Sequence, residues 1–252
     1  MIEISSKTND HFRRWADLSS ARGIKKHHEF ILMGDKLIAE FLENPQFKVK
    51  AEIIHEDLQP LTRSAKSLLG QKISLFKLPK ALFNEIDVVG THYNLLVLEP
   101  KEIPELSTQA PSGLEVICPL GDPSNLGALI RSALAFGASK VILTAETCNP
   151  YHPKAIKASA GALLKIPLVK IGSFADYVAA QDDVYALDMK GESVGQFKWP
   201  KNIRLAVGEE GPGFSGLKGL KRLAVPTSGN IESLNATVAA SIAFFSYSLS
   251  QR

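Results

Sequence analysis

The sequence predicts an α/β fold with two domains. Its 252 residues exceed one typical domain. Short apolar runs alternate with stretches of helical periodicity, and several runs end at glycine or proline, as buried strands do. Such a pattern is typical of a parallel sheet between layers of helices. We therefore expect a small α/β domain, followed by a larger domain with five or six largely parallel strands and helices on both faces.

Composition favours a globular cytoplasmic protein. Hydrophobic residues make up 45% of the chain, which is enough for sizeable cores. No apolar run approaches the ~18 residues of a membrane span, and the first residues carry no signal-peptide pattern. The two cysteines, Cys118 and Cys148, form neither a disulfide framework nor a zinc-ligand spacing. We expect two free thiols and no bound metal.

The first domain is predicted at residues 1–100. Strands are predicted at 30–33, 49–55, 73–78 and 93–98, with helices at 35–42, 61–69 and 80–86. Residues 101–112 contain two prolines and no periodicity, so they are predicted to be a linker.

Basic residues are concentrated near the N-terminus, although the net charge is only +3. The cations are Arg13, Arg14, Arg22, Lys25 and Lys26. Taken alone, they are typical of a solvated helix face. An enzyme that acts on RNA, however, needs such cations to contact phosphates.

The second domain is predicted at residues 113–252. Strands are predicted at 114–120, 141–143, 165–171, 184–187, 203–207 and 223–225. Helices are expected at 126–134, from Pro153, at 173–180 and after Ser233, the last with Ser233 as N-cap. The apolar face of the last helix is predicted to carry Val238, Ile242, Phe245 and Leu249. His152, just before a helix, is more simply a surface or capping residue than a catalytic base.

Polar, glycine-rich loops follow three of these strands. Ligands bind at the carboxyl ends of the strands in open α/β sheets. Glycines such as Gly208 allow the backbone to approach a ligand closely, and two carboxylates, Glu209 and Glu210, lie beside it. A phosphate cradle is the competing interpretation, but the glycine spacing fits neither nucleotide fingerprint and adjacent glutamates repel phosphate.

Three motifs resemble the SpoU/TrmH branch of the SPOUT methyltransferases. They lie at residues 122–131, 208–213 and 225–235, in the family order. Enzymes of this branch transfer a methyl group from S-adenosyl-L-methionine to a ribose 2′-hydroxyl of tRNA or rRNA. The resemblance implies a deep trefoil knot that holds the cofactor, a homodimer formed through the C-terminal domain, and a ribosomal-protein-like N-terminal domain that binds substrate RNA. Residues 32–38 resemble the entry motif of that domain, with Met33 where an acidic residue is usual.

The resemblance also assigns site residues. The catalytic set is Arg131, Asn125, Glu210, Ser233 and Asn235. The cofactor-binding set is Gly208, Val225, Leu234, Asn235, Leu187, Val207, Glu209 and Pro226. RNA contacts are assigned to Arg131 and the five N-terminal cations, and no metal is required because a sulfonium is already a good leaving group. Since a guanidinium has a pKa above ~12, we expect Arg131 to stabilise a developing alkoxide rather than to accept a proton.

Other interpretations remain open at this point. Taken singly, Asn125 and Ser233 could be helix caps, Glu210 a loop carboxylate and Asn235 a turn residue. A non-catalytic RNA-binding protein that retains the fold is one alternative, and a base nitrogen could replace the ribose as methyl acceptor. A nicotinamide-dependent oxidoreductase is a further alternative, but its fingerprint is absent from the sequence.

Overall fold

A computed structural model describes residues 1–61, 73–107, 110–208, 214, 217, 220–230 and 233–252. The chain forms two compact units. The first contains Met1–Glu102 and Asn149–Gly161, and the second contains Ile103–Cys148 and Ala162–Arg252. Of the predicted helix at 61–69, all but Leu61 lies outside the described residues.

The described helices and strands follow the predicted alternation. In chain order they are β1 (Ile2–Glu3), α1 (Asp10–Asp17), α2 (Ala21–His27), β2 (Phe30–Met33), α3 (Asp35–Glu43), β3 (Val49–His55), β4 (Ser74–Leu78), α4 (Lys80–Ile86), β5 (Leu95–Leu98), β6 (Leu114–Cys118), α5 (Pro123–Ala135), β7 (Lys140–Leu143), α6 (Pro153–Ser159), a 3₁₀ turn (Ala162–Leu164), β8 (Leu168–Lys170), α7 (Phe174–Ala179), β9 (Val184–Ser193), β10 (Ile203–Val207), β11 (Lys221–Ala224) and α8 (Ala236–Ser250).

The first unit contains a mixed five-stranded sheet in the order β1-β4-β3-β5-β2. β1, β4 and β3 are parallel, whereas β5 runs antiparallel to both β3 and β2. Trp15, Phe30 and Phe83 are among its largest fully buried side chains. Buried Glu52 accepts hydrogen bonds from Asn94 Nδ2 (2.6 Å) and Leu61 N (2.7 Å), so a carboxylate is satisfied inside this unit.

The segment Asn149–Gly161 folds with the first unit, although the sequence analysis assigned it to the second domain. Tyr151 stacks on Phe30, with 4.7 Å between ring centroids, and meets Phe47 edge-on at 6.1 Å. His152 caps α6 by accepting from Lys154 N at 3.2 Å, which confirms its predicted capping role. Pro153 in the first turn predicted the start of this helix, but such a local signal could not indicate the core that the helix joins.

The second unit contains a six-stranded sheet in the order β11-β9-β10-β6-β7-β8. Every pair in it is parallel, which confirms the predicted α/β class with a mostly parallel sheet. All residues of β6 and β10 are buried, as expected for strands that are covered on both faces. The helix predicted at 126–134 is also confirmed: it runs from Pro123 to Ala135 and buries Leu126, Leu129, Ile130 and Ala133.

A buried ion cluster lies at the amino end of this sheet. Arg204 Nε donates to Glu115 Oε2 at 2.9 Å, and Arg204 Nη1 donates to Asp183 Oδ2 at 3.2 Å. Lys140 Nζ lies 3.1 Å from Glu115 Oε1. Glu115 and Arg204 are 0% and 3% exposed, so each charge depends on its partners.

The strands at the sheet edges differ from their predicted lengths. β8 has only three residues, because Ile166 is buried beside the 3₁₀ turn instead of joining the ladder. β9 continues to Ser193, and its pairing with β11 shifts between Arg222 and Leu223. A Cβ atom on Gly191 would lie 2.5 Å from the Arg222 carbonyl, so this irregularity requires glycine.

The last helix differs from its prediction in two respects. Ser233 is not its N-cap: the side chain of Asn235 caps α8 by accepting from Thr237 N (3.0 Å) and Val238 N (3.3 Å). The face predicted to pack against the core is 39–49% exposed at Val238, Ile242, Phe245 and Leu249. The buried residues are Ala240, Ala243, Phe244 and Tyr247, because nearly every position of this helix is apolar or small and the wrong stripe was chosen.

Both cysteines are free thiols, with Cys118 buried and Cys148 half-buried. Within the described ranges, no helix is both long and apolar enough to cross a membrane.

Candidate functional site

The candidate site lies at the carboxyl end of the six-stranded sheet. β6 pairs with β7 on one side and with β10 on the other. After β6 the chain moves outward through β7 and β8, and then returns to fill the other half of the sheet. The strand order therefore reverses between β6 and β10, and ligands of open α/β sheets bind in the crevice at such a reversal. Asp122 and Asn125 follow β6, and Gly208 follows β10.

The loop after β6 is held by hydrogen bonds to the main chain. Thr147 Oγ1 donates to Cys118 O at 2.7 Å, and Cys148 N donates to Leu120 O at 2.9 Å. Asp122 then caps α5 by accepting from Asn125 N at 2.8 Å, with Pro123 in the first turn. Asp122, rather than Asn125, is therefore the cap, which leaves the half-buried Asn125 side chain for another role.

α5 and α8 run side by side in the same direction. Ser241 Oγ donates to Ser132 Oγ at 2.8 Å. Four residues further along both helices, Phe245 meets Phe136 with 5.9 Å between ring centroids. The equal offset on both helices fixes their common direction. Asn235 precedes Ser241 by about as many residues as Asn125 precedes Ser132, so both asparagines lie at the same end of the helix pair.

Arg131 lies one position before Ser132 and is exposed. It follows Asn125 by six residues, which is ~9 Å along a helix axis. The backbone of Arg131 therefore lies nearly two turns from Asn125 along the helix, on a different stripe of its surface. Only an extended arginine side chain can reach back toward that end.

The second loop begins beside the cofactor residues predicted on the strands. Val207 and Leu187 are direct neighbours in the parallel ladder. Gly208, half-buried, follows Val207, and a Cβ atom on it would lie 2.9 Å from Phe214 Cζ. The Phe214 ring therefore covers Gly208, and only glycine permits this approach. Glu209 and Glu210 lie outside the described residues.

The third loop begins after β11. Val194 N donates to Ala224 O at 2.9 Å, so the residues after Ala224 emerge at the same carboxyl side of the sheet as β9. Val225 and Leu234 are half-buried, whereas Pro226 and Ser233 are exposed. The grouping of Ser233 with the site rests on its nearness in sequence to Asn235, which it precedes by two residues.

Sequence analysis missed Arg222 and Asp188. The Arg222 guanidinium forms a short ion pair with the Asp188 carboxylate. Its Nη2 donates to the carbonyl oxygens of Phe214 (2.9 Å) and Leu217 (3.3 Å). These residues are far apart in the chain and belong to no motif, so the sequence offered no signal for them.

The five N-terminal cations predicted to contact RNA lie on α1 and α2 of the first unit, whereas Arg131 lies on α5 of the second. Arg13, Arg22 and Lys25 are exposed and make no ion pair within the part of the chain that the structure describes. Arg14 Nε lies 3.2 Å from Glu29, and Lys26 Nζ lies 3.2 Å from Asp17.

The charge on Lys26 is partly offset by its partner. Hydrogen bonds from His27 and then Lys26 hold the pKa of Asp17 below its usual range, so this carboxylate stays ionised beside both groups. The three unpaired cations are consequently better candidates for phosphate contacts than Arg14 and Lys26.

Among the described residues, no group of three or more His, Cys, Asp and Glu side chains could hold a metal ion.

Comparisons with known proteins agree with this site. Residues 116–245, just over half of the chain, match the family model described as "SpoU rRNA Methylase family". The chain is 34% identical over 250 residues to ribosomal RNA small subunit methyltransferase G 2 of Syntrophobacter fumaroxidans, covering 98% of this chain but only about half (49%) of that relative's length. It is 27% identical to the 23S rRNA (guanosine(2553)-2′-O)-methyltransferase RlmP of Bacillus subtilis, covering 96% and 97% of the two chains.

Solved structures share the fold over nearly the whole chain. The SpoU methyltransferase AviRb from Streptomyces viridochromogenes, in complex with the cofactor AdoMet, superposes with a TM-score of 0.80 at 20% identity, covering 96% of this chain and 98% of that one. An AdoMet-bound rRNA methyltransferase from Sinorhizobium meliloti gives 0.79 at 22% identity, covering 97% and 96%. The family model matches more than half of the chain, and this leads to one conclusion: the chain belongs to the SpoU rRNA methylase family.

Proposed function

We propose that this protein is an S-adenosyl-L-methionine-dependent RNA methyltransferase that acts on a ribose 2′-hydroxyl of rRNA or tRNA. The observation that carries the proposal is that the family's three motifs begin after β6, β10 and β11 of one parallel sheet, and that β6 and β10 flank the point where its strand order reverses. Its support includes the RlmP relative, which is matched over almost its full length and is named as a 2′-O-methyltransferase.

The residues at this edge fit the cofactor. Adenine needs an apolar slot with backbone donors and acceptors, and Leu187, Val207, Val225 and Leu234 offer apolar side chains there. Gly208 has no side chain to obstruct its backbone groups. Asn235, Pro226 and Glu209 complete the proposed binding set. When bound, S-adenosyl-L-methionine supplies an electrophilic methyl group.

Arg131 is proposed to contact the substrate phosphate and to stabilise the oxygen that develops negative charge. An exposed guanidinium can do so because it presents several donors and remains protonated. Asn125 and Asn235, at the same end of the helix pair, orient the ribose, together with Ser233 and Glu210. The hydroxyl proton then leaves to an acceptor other than Arg131.

The finer architecture is also proposed from the family. Residues 1–100 bind RNA, 101–112 connect, and 113–252 form the methyltransferase domain with its trefoil knot. A cytoplasmic location is proposed with these assignments.

We infer that RNA contacts the exposed cations of α1 and α2. Replacing Arg13, Arg22 and Lys25 together by glutamine should lower the slope of log affinity against log salt by about 2 to 3, because each phosphate contact contributes about 0.9. A matched control replaces Lys7, Lys48 and Lys80, which pair with Glu85, Glu99 and Asp57. Equal slopes for both triple variants would locate the RNA contacts elsewhere.

A homodimer is proposed through the exposed apolar face of α8. Four apolar side chains in one stripe are unusual on a free surface. Phe245→Glu should convert the dimer to a monomer in light scattering, whereas Val88→Glu, at an equally exposed valine of the first unit, should leave it intact. A monomeric wild-type protein would remove this part of the proposal.

The activity is tested by transfer of labelled methyl to RNA that lacks this modification, followed by digestion to nucleosides. Label in a 2′-O-methylnucleoside would establish the reaction and the acceptor atom. Label in a base would move the acceptor to a base nitrogen. Absence of both label and cofactor binding would favour a non-catalytic RNA-binding protein.

A further inference from the structure

We propose that Arg222 and Asp188 form a clasp that positions Phe214 and Leu217 and, through the Phe214 ring, Gly208 at the proposed cofactor edge. The clasp is defined as the guanidinium of Arg222, the carboxylate of Asp188, and the carbonyl oxygens of Phe214 and Leu217. This inference rests on the proposed function, since it assigns a positioning role toward the same cofactor edge.

The Arg222 side chain joins three groups. Arg222 Nη1 pairs with Asp188, while Nη2 donates to Phe214 O at 2.9 Å and to Leu217 O at 3.3 Å. Leu217 N in turn donates to Phe214 O at 3.1 Å. A planar guanidinium can join a carboxylate and two carbonyls in one rigid arrangement, which lysine cannot reproduce.

The ion pair of the clasp is mostly buried. The side chains of Arg222 and Asp188 are 26% and 16% exposed. An ion pair that is mostly withdrawn from water is screened less by salt than the exposed pairs of this chain, and its geometry is better defined. The clasp is therefore a fixed structural link.

The clasp is connected to the proposed cofactor edge through Asp188 and Phe214. Asp188 directly follows Leu187, and the Phe214 ring lies against Gly208. Phe214 is 4% exposed and its ring lies 5.0 Å from that of Phe174 in the core. Arg222 therefore holds the carbonyl of a residue whose ring determines the position of Gly208.

The backbone of Arg222 packs closely against Gly191 of β9. Gly191 lies so close to the Arg222 carbonyl that a Cβ atom would approach it to 2.5 Å. The chain thus brings the irregular part of β9 against β11 at the residue that makes the clasp. Since preorganised loops lower the entropic cost of binding, loss of the clasp should weaken the cofactor more than it slows the chemistry.

The test compares Arg222→Met, Arg222→Lys and Asp188→Asn with Lys221→Met. Lys221 is the preceding residue, and its ammonium lies over the Tyr185 ring outside the clasp. We expect Arg222→Met to raise the calorimetric Kd for S-adenosyl-L-methionine by about tenfold, with kcat at saturating cofactor within about threefold. The Kd of Arg222→Lys should lie between those of wild type and Arg222→Met, and the Kd of Lys221→Met should equal that of wild type. The changes in binding free energy caused by Asp188→Asn and Arg222→Met should be non-additive in the double variant.

A second readout needs no cofactor. Exchange of the Leu217 amide hydrogen in the ligand-free protein should accelerate in Arg222→Met and remain unchanged in Lys221→Met. Wild-type cofactor affinity in both Arg222 variants, or unchanged Leu217 exchange, would overturn the clasp. If Arg222→Met fails to fold, Arg222→Lys and Asp188→Asn decide by the same criteria. Failure of the wild-type protein to bind S-adenosyl-L-methionine would overturn the proposed function, while Leu217 exchange would still report on the clasp itself.

Discussion

The two ends of the six-stranded sheet are built from different chemistry. At the amino end, Glu115, Arg204, Lys140 and Asp183 form a buried ion cluster. At the carboxyl end, half-buried residues such as Gly208 offer backbone and small apolar surface. The amino end is satisfied internally by its own charges, whereas the carboxyl end has surface left to bind a ligand. The comparison indicates that stability and binding are separated along the strands.

Removing Arg204 should have the largest effect on stability. Arg204→Met leaves Glu115 buried with one of its two cationic partners missing, and we expect a loss of about 3–5 kcal/mol in the free energy of unfolding. Urea unfolding measures it. Lys170→Met, at an exposed pair with Glu105, should cost no more than about 1 kcal/mol. A changed cofactor affinity in folded Arg204→Met would show that the two ends are not independent.

Removing Arg131 should lower the rate of methyl transfer and leave stability unchanged, which is the reverse of the effect expected for Arg204. Arg131→Ala should lower kcat by about 100-fold, the typical effect of losing one donor to a developing oxyanion. Cofactor affinity and unfolding free energy should stay unchanged, because the side chain is exposed. Single-turnover methyl transfer and calorimetry give the two values, with Arg131→Lys expected to retain intermediate activity. Simultaneous loss of turnover and cofactor binding would contradict this separation.

Gly208→Ala tests whether the close contact between residue 208 and the Phe214 ring affects cofactor binding. The added methyl would lie 2.9 Å from Phe214 Cζ, so the ring must move. We expect the Kd for S-adenosyl-L-methionine to rise by about tenfold, or about 1.4 kcal/mol. Gly172→Ala is the control, since a Cβ atom there would meet nothing within 4 Å among the described atoms. Unchanged affinity in Gly208→Ala would show that Phe214 does not position this loop.

The smallest effect is expected between the helices. Ser241 Oγ contacts Ser132 Oγ at 2.8 Å and Thr237 O at 2.7 Å, and its loss in Ser241→Ala should cost about 1 kcal/mol of unfolding free energy. Ser248→Ala, at an exposed serine, should cost less. Equal losses in thermal unfolding would mean that the hydroxyl pair adds nothing specific to the packing of α5 against α8.

The strands that precede the motif loops could be predicted, because each is a short apolar run that ends near glycine or proline. β10 matches its predicted bounds, and α5 matches its predicted buried face. The prediction was wrong on α8, where Ala240, Ala243, Phe244 and Tyr247 are buried and the four apolar side chains of the predicted face are exposed. Small residues give a weak amphipathic signal, so periodicity alone could not distinguish the two stripes.

The candidate site was predictable where local chemistry defines it. Asp122 and Asn235 cap the helices that follow them, whereas the sequence analysis named Ser233 as the cap of the last helix and Asn125 as a possible cap of α5. Arg222 and Asp188 were not predictable, because they lie far apart in the chain and come together only through the pairing of β11 with β9. Such long-range geometry leaves no periodic trace in the sequence.

The segment Asn149–Gly161 has a consequence for engineering the gene. Its residues lie within the stretch that matches the methylase family, yet Tyr151 completes an aromatic cluster with Phe30 and Phe47. A fragment that ends at residue 102 would expose two phenylalanines, and a fragment that begins at residue 103 would carry an orphaned helix. This first unit is thus a discontinuous module, and exchanging it between homologues requires transplanting two separate pieces of coding sequence together.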